Sequence, residues 1–483
     1  MSPFRGNAYA GLPEAFHAPL QPQPVRAPAW VLRDDALAAT LGLGDWIAGD
    51  AALATLAGNR APDGGDLHAI AYAGHQFGHW VPLLGDGRAA MLGQVHAADG
   101  TAFDVQLKGS GRTPYSRGGD GRATLASALR EYLASAGIAG LGIPTARTLA
   151  AIATGEFVWR ESPEAGGVSV RVARSHVRVG SFEYAASLRD PAALQALFEF
   201  TVDTLYPTLR DAPSPALALL ETVRDRQADL IAAWMGVGFI HGVMNTDNMA
   251  LSGETIDYGP CAFQDTFAAG RVFSRIDRQG RYAWSRQPSI ALWNLSRLAE
   301  ALLPLVDADT DTAVARATDV LQGFAPRFQG AFSGLFRRKL GVPPDADGFD
   351  AFLQETFATL EAQQVDFTLF FRRLTQHAAG DGDVAGLFAD RAEGDAWLAR
   401  HAALAGRADD ATVAAMAAVN PVYIARNHRV EEAIRAVVEQ DDAGPAKRLA
   451  SALAAPFTAR DALADLEAPP APGEAVTETH CNT

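Results

Sequence analysis

Lysine is nearly missing from this chain of 483 residues: among 41 basic residues only Lys108, Lys339 and Lys447 are lysines, and the rest are arginines. A bias that writes Arg wherever either base will serve makes each remaining lysine a candidate for work that a planar guanidinium cannot do. Cysteine is scarcer still, with Cys261 and Cys481 alone, which excludes a disulfide framework and any all-cysteine metal site. Positive charge is in deficit, at 41 bases against 56 acids and a formal charge of −15. A surface of that sign lacks the basic face that displaces counterions from a polynucleotide, so no nucleic-acid partner is expected. Long apolar runs are absent too. The stretch from Tyr132 to Ala146 is short and broken by glycines and Pro144, so no membrane span is expected. The opening MSPFRGNAYAGLP has no basic segment followed by an apolar one, and a cytoplasmic, monomeric protein is expected.

What is present is a globular composition, 48% hydrophobic, long enough for about three folding units or one large two-lobed fold. Residues 1–64 read as an N-terminal extension, Pro-rich and then alanine-rich. Residues 65–190 carry glycine-punctuated strands. Phe103, Val105 and Leu107 alternate with Asp104, Gln106 and Lys108, and Val168, Val170 and Val172 alternate with Ser169 and Arg171, the period of half-buried strands. Between them Leu125, Leu129 and Leu133 recur at helical spacing, which predicts a helix over about 124–136. Residues 191–460 are mainly helical: Leu295, Leu298 and Leu302 form one stripe that Pro304 is expected to stop, and Val430, Ile434, Val437 and Val438 form another. Residues 461–483 read as a mobile tail. A strand-rich front before a helix-rich back predicts an α+β, two-lobed fold with a cleft between the lobes.

Five constellations bear on chemistry. The turn Gly85-Asp86-Gly87-Arg88 lets backbone approach a phosphate and offers amides to it. Lys108 closes a strand, and Glu131 stands on the following helix; a strand lysine held by a helix glutamate is how kinase-like folds aim an ammonium at phosphates. The glycine-rich loop 109–124 holds Arg112, Arg117 and Arg122, with Asp120 and Gly121, directly before that helix, where amides attract anions. Arg171, Arg174 and Arg178 stand with no acid between Glu164 and Glu183, a local excess that suits an anion. Most specific is His241-Gly-Val-Met-Asn-Thr-Asp247-Asn248 followed by Asp257-Tyr258-Gly259, which reproduces the His-to-Asn spacing of the kinase catalytic segment and an Asp-Phe-Gly counterpart. Asn248 and Asp257 are hard oxygen donors suited to a cation beside phosphates. Two further patterns read as structural. His75 and His79 have zinc-pair spacing, but Gly74 and Gly78 break the helix such a site needs. Phe367, Phe370 and Phe371 are expected in a core.

Kinases place their catalytic aspartate two residues after the His; here that residue is Val243, which accepts no proton. The residues alone therefore leave three readings open: a nucleotide-binding scaffold, a kinase with a displaced base, or kinase parts used for other chemistry. The segments YAGHQFGHW, GDGR, QLKGSGRTPYSRGGDGRA, ALREYL, HGVMNTDNM and DYGP, within a likeness running from NAYAGLPEAF to NPVYIARNHRVEEAI, resemble the selenoprotein O family of protein adenylyltransferases. The resemblance implies a protein-kinase-like fold that binds ATP inverted relative to kinases and moves AMP onto Ser, Thr or Tyr hydroxyls of proteins. It implies nucleotide contacts from Gly85, Gly87, Arg88, Lys108, Asp120, Gly121, Arg171, Arg178 and Asp257, a Lys108–Glu131 pair, Mg²⁺ or Mn²⁺ on Asn248 and Asp257, and Asp247 as general base. γ-Phosphoryl transfer and nucleotide sensing without catalysis remain the alternatives. Some members of the family carry selenocysteine near the C-terminus, where this chain has Cys481. Either Cys481 pairs with Cys261, four residues after Asp257, as a redox restraint on the cleft, or both remain thiols. Lys339 and Lys447 lie in helical, charged surroundings and read as incidental.

Overall fold

The computed structural model describes residues 2–63 and 65–479. An antiparallel sheet dominates the N-terminal part. Its strands are β1 (His17–Leu20), β2 (Ala29–Arg33) and β3 (Leu67–Ile70), then, beyond a separate hairpin of β4 (Gly74–Gln76) and β5 (His79–Val81), β6 (Ala89–His96) and β7 (Ala102–Lys108). The short β8 (Ala123–Thr124) and the long pair β9 (Arg147–Trp159) and β10 (Pro163–Ala173) complete it. The order is β1-β3-β6-β7-β10-β9-β2, with β8 paired to β10. The segment expected as an N-terminal extension thus supplies both edge strands, and the helices Asp35–Thr40, Gly44–Ile47 and Asp50–Leu56 follow β2.

One face of the sheet is apolar. Val105, Leu107, Val168, Val170 and Val172 pack with Leu37, Leu41, Ile47 and Leu56 from the short helices. The other face is not solvated, as strict alternation predicts; Asp104, Gln106, Lys108, Ser169 and Arg171 are buried as well. Polar side chains stay under cover only when hydrogen-bonded or paired, and these line the cleft described below.

The helix Leu125–Gly140 crosses this polar face. Thr124 caps it, its hydroxyl accepting from the Ser127 amide at 3.1 Å, which satisfies one of the orphan donors of the first turn. Leu125, Leu129 and Leu133 are buried, and Glu131 is carried inward with them. Behind it lie the helices Asn427–Gln440 and Gly444–Leu453. Arg130 pairs with Glu431, a Cβ on Gly137 would stand 3.2 Å from Ala425, and one on Gly140 would overlap the Leu453 carbonyl.

From Val179 onward the described chain is mainly helical. The Leu295, Leu298 and Leu302 stripe is buried in the helix Gln287–Val306. Pro304 lies inside the last turn rather than stopping the helix, which ends two residues later. Val430, Ile434 and Val437 are buried while Val438 is 40% exposed, and Phe367, Phe370 and Phe371 are core residues. Lys339 departs from expectation: it is 1% exposed, its ammonium donates to the Val419 carbonyl at 3.3 Å and sits 4.3 Å from the Phe371 ring centre. The segment expected as a mobile tail touches the body at two places, while residues 471–475 between them are exposed. Leu463 and Leu466 are buried on a 3₁₀ turn, Asp461–Glu467, and the Thr479 hydroxyl donates to the Pro260 carbonyl at 2.6 Å. Cys261 is buried; Cys481 lies outside the described residues, so the pairing expected of it does too. No helix among the described residues is long and apolar enough to cross a membrane. The architecture is therefore mixed α/β, a strand-rich N-terminal sheet followed by a helical remainder.

Candidate active site

Strand register places Ser169 opposite Lys108 and Arg171 opposite Gln106, so the polar residues of β7 and β10 converge on the helix bearing Glu131. Lys108 pairs with Glu131 and stands 2.6 Å from Asp257 Oδ1. Arg171 reaches the same Asp257 oxygen at 2.7 Å and Glu131 at 3.5 Å. Arg178 stands 3.6 Å from Asp257 Oδ2, with its guanidinium 4.5 Å from the Tyr72 ring centre. Three cations thus face Glu131 and Asp257, with the buried Asp86 4.0 Å from Arg178, inside a covered cleft where charge interactions are strong. Burial alone would raise the Asp257 pKa, yet Arg171, Lys108 and Arg178 outweigh it and hold the carboxyl well below its ordinary range. Glu131 is lowered in the same way, by Lys108 and Arg171 against burial. The Asp257 backbone has φ of 62°, a left-handed conformation that a non-glycine residue adopts at a cost.

Asp247 occupies the opposite wall. Its Oδ1 accepts from the Gln76 amide at 2.7 Å, and its carbonyl accepts from Arg178 Nη1 at 3.0 Å. Burial pushes the carboxyl up to about 7 in spite of Arg178, in the range where a general base is effective. The β4–β5 hairpin holds the whole loop: the His75 amide donates to Thr246 Oγ1 at 2.8 Å and the Phe77 amide to Asn245 Oδ1 at 2.9 Å. His75 Nδ1 is 2.6 Å from Glu183 Oε1. His241 Nε2 donates to the Ile256 carbonyl at 2.7 Å and braces the approach to Asp257; burial lowers its pKa and keeps the ring neutral. Val243 accepts from Asn248 Nδ2 at 3.0 Å through its carbonyl. That bond engages the Asn248 nitrogen and not its Oδ1. Asn248 and an ionised Asp257 are a donor set suited to Mg²⁺ or Mn²⁺, with phosphate and water oxygens completing the shell. Among the described residues no group of three or more His, Cys, Asp or Glu converges on a metal position.

The glycine turn behaves differently from expectation. The amides of Gly85 and Asp86 donate to the Tyr72 and Ile70 carbonyls at 3.1 and 2.9 Å, and that of Gly87 to Gly85 at 2.9 Å. They are engaged by backbone rather than directed at a ligand. The glycines are required by Tyr115, whose ring a Cβ at Gly85 would overlap and whose carbonyl would lie 2.9 Å from one at Gly87. The Arg88 carbonyl accepts from the Gly109 amide at 2.7 Å, which ties the turn to the end of β7. Asp120 and Gly121 belong to the glycine loop: Asp120 pairs with Arg160 at 2.9 Å and accepts from the Arg122 amide at 2.9 Å. Among the described residues no hydrogen bond or ion pair joins Asp120 to the Lys108 cluster. Lys108, Glu131, Arg171, Arg178 and Asp257 form one network, then, with Asp247 and Asn248 attached through Arg178 and the turn and loop beside it. Sequence reasoning missed Gln76, Asn245, Tyr282 and Arg160. Gln76 lies in the quoted YAGHQFGHW, where only the histidines had a recognisable spacing.

The family model for protein adenylyltransferase SelO matches residues 4–454. The chain is 51% identical over 486 residues to a protein nucleotidyltransferase YdiU of Rhodopseudomonas palustris (strain BisB5), covering 99% of this chain and 98% of that protein. A protein of the same description from Jannaschia sp. (strain CCS1) is 51% identical over 483 residues, at 99% and 98% coverage. One from Rhizobium etli is 47% identical over 484 residues, at 99% and 97%. The class is that of the nucleotidyltransferases, enzymes that transfer a nucleotidyl group, and ATP as substrate fits it. Within that class, the chain belongs to the SelO family of protein adenylyltransferases.

Proposed function

We propose that this enzyme moves AMP from ATP to Ser, Thr or Tyr hydroxyls of target proteins and releases pyrophosphate, binding ATP inverted relative to kinases in a kinase-like, two-lobed cleft. The observation that carries this reading is the position of Asp247. The residue at the kinase base position is Val243, whereas Asp247 joins the cation cluster through Arg178 and adjoins Asn248. Asp247 accepts the proton of the acceptor hydroxyl as that oxygen bonds to the α-phosphorus and the bond from the α-phosphorus to the bridging oxygen breaks. Negative charge then develops on pyrophosphate, and preoriented cations stabilise it more than they stabilise ATP. Lys108, Arg171 and Arg178, with Arg88 from the turn, supply those cations. Glu131 orients Lys108, and Gly85, Gly87, Asp120 and Gly121 shape the nucleotide's path. Mg²⁺ or Mn²⁺, held by Asn248 and Asp257, supplies further neutralisation of phosphate charge when bound.

The test is transfer from ATP labelled at the α- or the γ-phosphate, with Asp257→Ala as control. Label should enter protein from the α position only and vanish in the variant. Entry from the γ position would overturn the reading in favour of a kinase. ATP binding with no transfer would overturn it in favour of a nucleotide-sensing scaffold.

A further inference from the structure

Between Arg271 and Arg286 the chain carries five arginines, Arg271, Arg275, Arg278, Arg281 and Arg286, and a single acid, Asp277. In a protein of formal charge −15 this is a marked local reversal. Asp277 does not neutralise it outwardly: it is buried, and its two oxygens accept the amides of Arg281 and Tyr282 at 2.8 Å each. None of the five arginines stands within ion-pair distance of a carboxylate among the described residues. Some exposed arginines elsewhere do, as in Arg391 with Asp383 at 3.0 Å and Arg210 with Asp203, but these are not gathered five to a segment of sixteen residues. Arg275, Arg278 and Arg286 are exposed, and Ile276 between the first two is 67% exposed. The buried Nε of Arg281 has no hydrogen-bond partner among the described residues.

The segment also lies where an acceptor has to arrive. The Tyr282 hydroxyl donates to Asn245 Oδ1 at 2.6 Å, two residues from Asp247. The Arg281 guanidinium sits 4.9 Å from the Trp293 ring centre, and Trp293 packs on His75 at 5.2 Å, next to the Gln76 that holds Asp247. A strip of unneutralised guanidinium groups beside the base fits carboxylates on the chain that presents the hydroxyl. A polynucleotide fits less well, because the rest of an acidic surface would repel its phosphates on either side of so short a strip.

We propose that Arg271–Arg286 docks acidic residues flanking the acceptor hydroxyl, so that the enzyme selects hydroxyls in acidic segments of its target proteins. This rests on the protein-acceptor reading above. The test uses the full chain, α-labelled ATP and two synthetic peptides identical except that Asp and Glu around the hydroxyl are replaced by Asn and Gln. The acidic peptide should be labelled with a kcat/KM higher by about fivefold to tenfold at low salt, an advantage that shrinks as ionic strength rises. The double variant Arg275→Gln/Arg278→Gln should raise KM for the acidic peptide and leave kcat and the KM for ATP unchanged. Arg275→Lys/Arg278→Lys, which keeps the charge, should retain the preference. Equal kcat/KM for the two peptides would overturn the docking while leaving protein adenylylation intact, since both would carry label. Absence of α-label from both would overturn the protein-acceptor reading and the docking with it. Stronger competition by single-stranded DNA than by an acidic peptide of equal length would overturn the docking in favour of a nucleic-acid site.

Discussion

The side-chain amide of Gln76 donates to Oδ1 of Asp247 across 2.7 Å, from a hairpin 171 residues earlier in the chain. A hydrogen bond to a carboxylate in a covered site fixes which oxygen faces the cleft and stabilises the charged form. Gln76→Leu should therefore lower kcat by about 10- to 100-fold with little change in KM for ATP. Gln76→Glu should be worse, because it sets a second carboxylate against the first. Steady-state kinetics of both variants check this; parallel losses in kcat and ATP affinity would show a merely structural role.

Lys108 bridges Glu131 and Asp257 while only 6% exposed. A guanidinium keeps the charge but needs more room and donates from a plane, so it does not satisfy both carboxylates and a phosphate from that position. Lys108→Arg should cost at least about 100-fold in kcat. Near wild-type turnover in this variant would refute the special role of the lysine.

Asp257 neutralises three cations in the absence of nucleotide. Asp257→Asn should destabilise the unliganded enzyme by about 3 kcal/mol, the scale for removing one partner from a buried ion-pair network. Pyrophosphate, added without metal, replaces the missing negative charge. Thermal unfolding should therefore rise more with pyrophosphate in the variant than in the wild type, and equal shifts would contradict the charge argument.

Lys339 gives a pH dependence of stability. Burial lowers its pKa to about 7 in the folded state, below the value of roughly 10.4 of an unfolded chain. Between those limits the unfolded state binds more protons, so this residue makes stability rise with pH over that window. Lys339→Met should stabilise the protein at pH 7, and the advantage should shrink toward pH 10. Unfolding midpoints of the two proteins at both pH values test the sign, and an advantage growing with pH would reverse it.

The sequence revealed more of the chemistry than of its setting. Lys108, Glu131 and Asp257 were legible because strand and helix periods and short motif spacings are local properties. The burial of Asp104, Gln106 and Arg171 was not, since alternation reports two faces and is silent on what covers the polar one. Gln76 and Tyr282 act through contacts with the Asp247 loop that only the folded chain creates. Pro304 misled because its fixed φ is itself helical and its disruption falls on the turn before it, so the helix runs on two residues to Val306. Lys339 misled because its charged neighbours in sequence, Arg337 and Arg338, say nothing of the aromatic core on its own side of the helix.

The back of the Leu125–Gly140 helix is closed by the Arg130–Glu431 pair and by glycines that admit the C-terminal helices at backbone distance. The helix that carries Glu131 is thus held from behind by the C-terminal helices Asn427–Gln440 and Gly444–Leu453. Control over turnover then falls to whatever reaches the open side of the cleft: nucleotide supply, the acceptor, and the strand-like contact of Thr479 with the segment beyond Asp257.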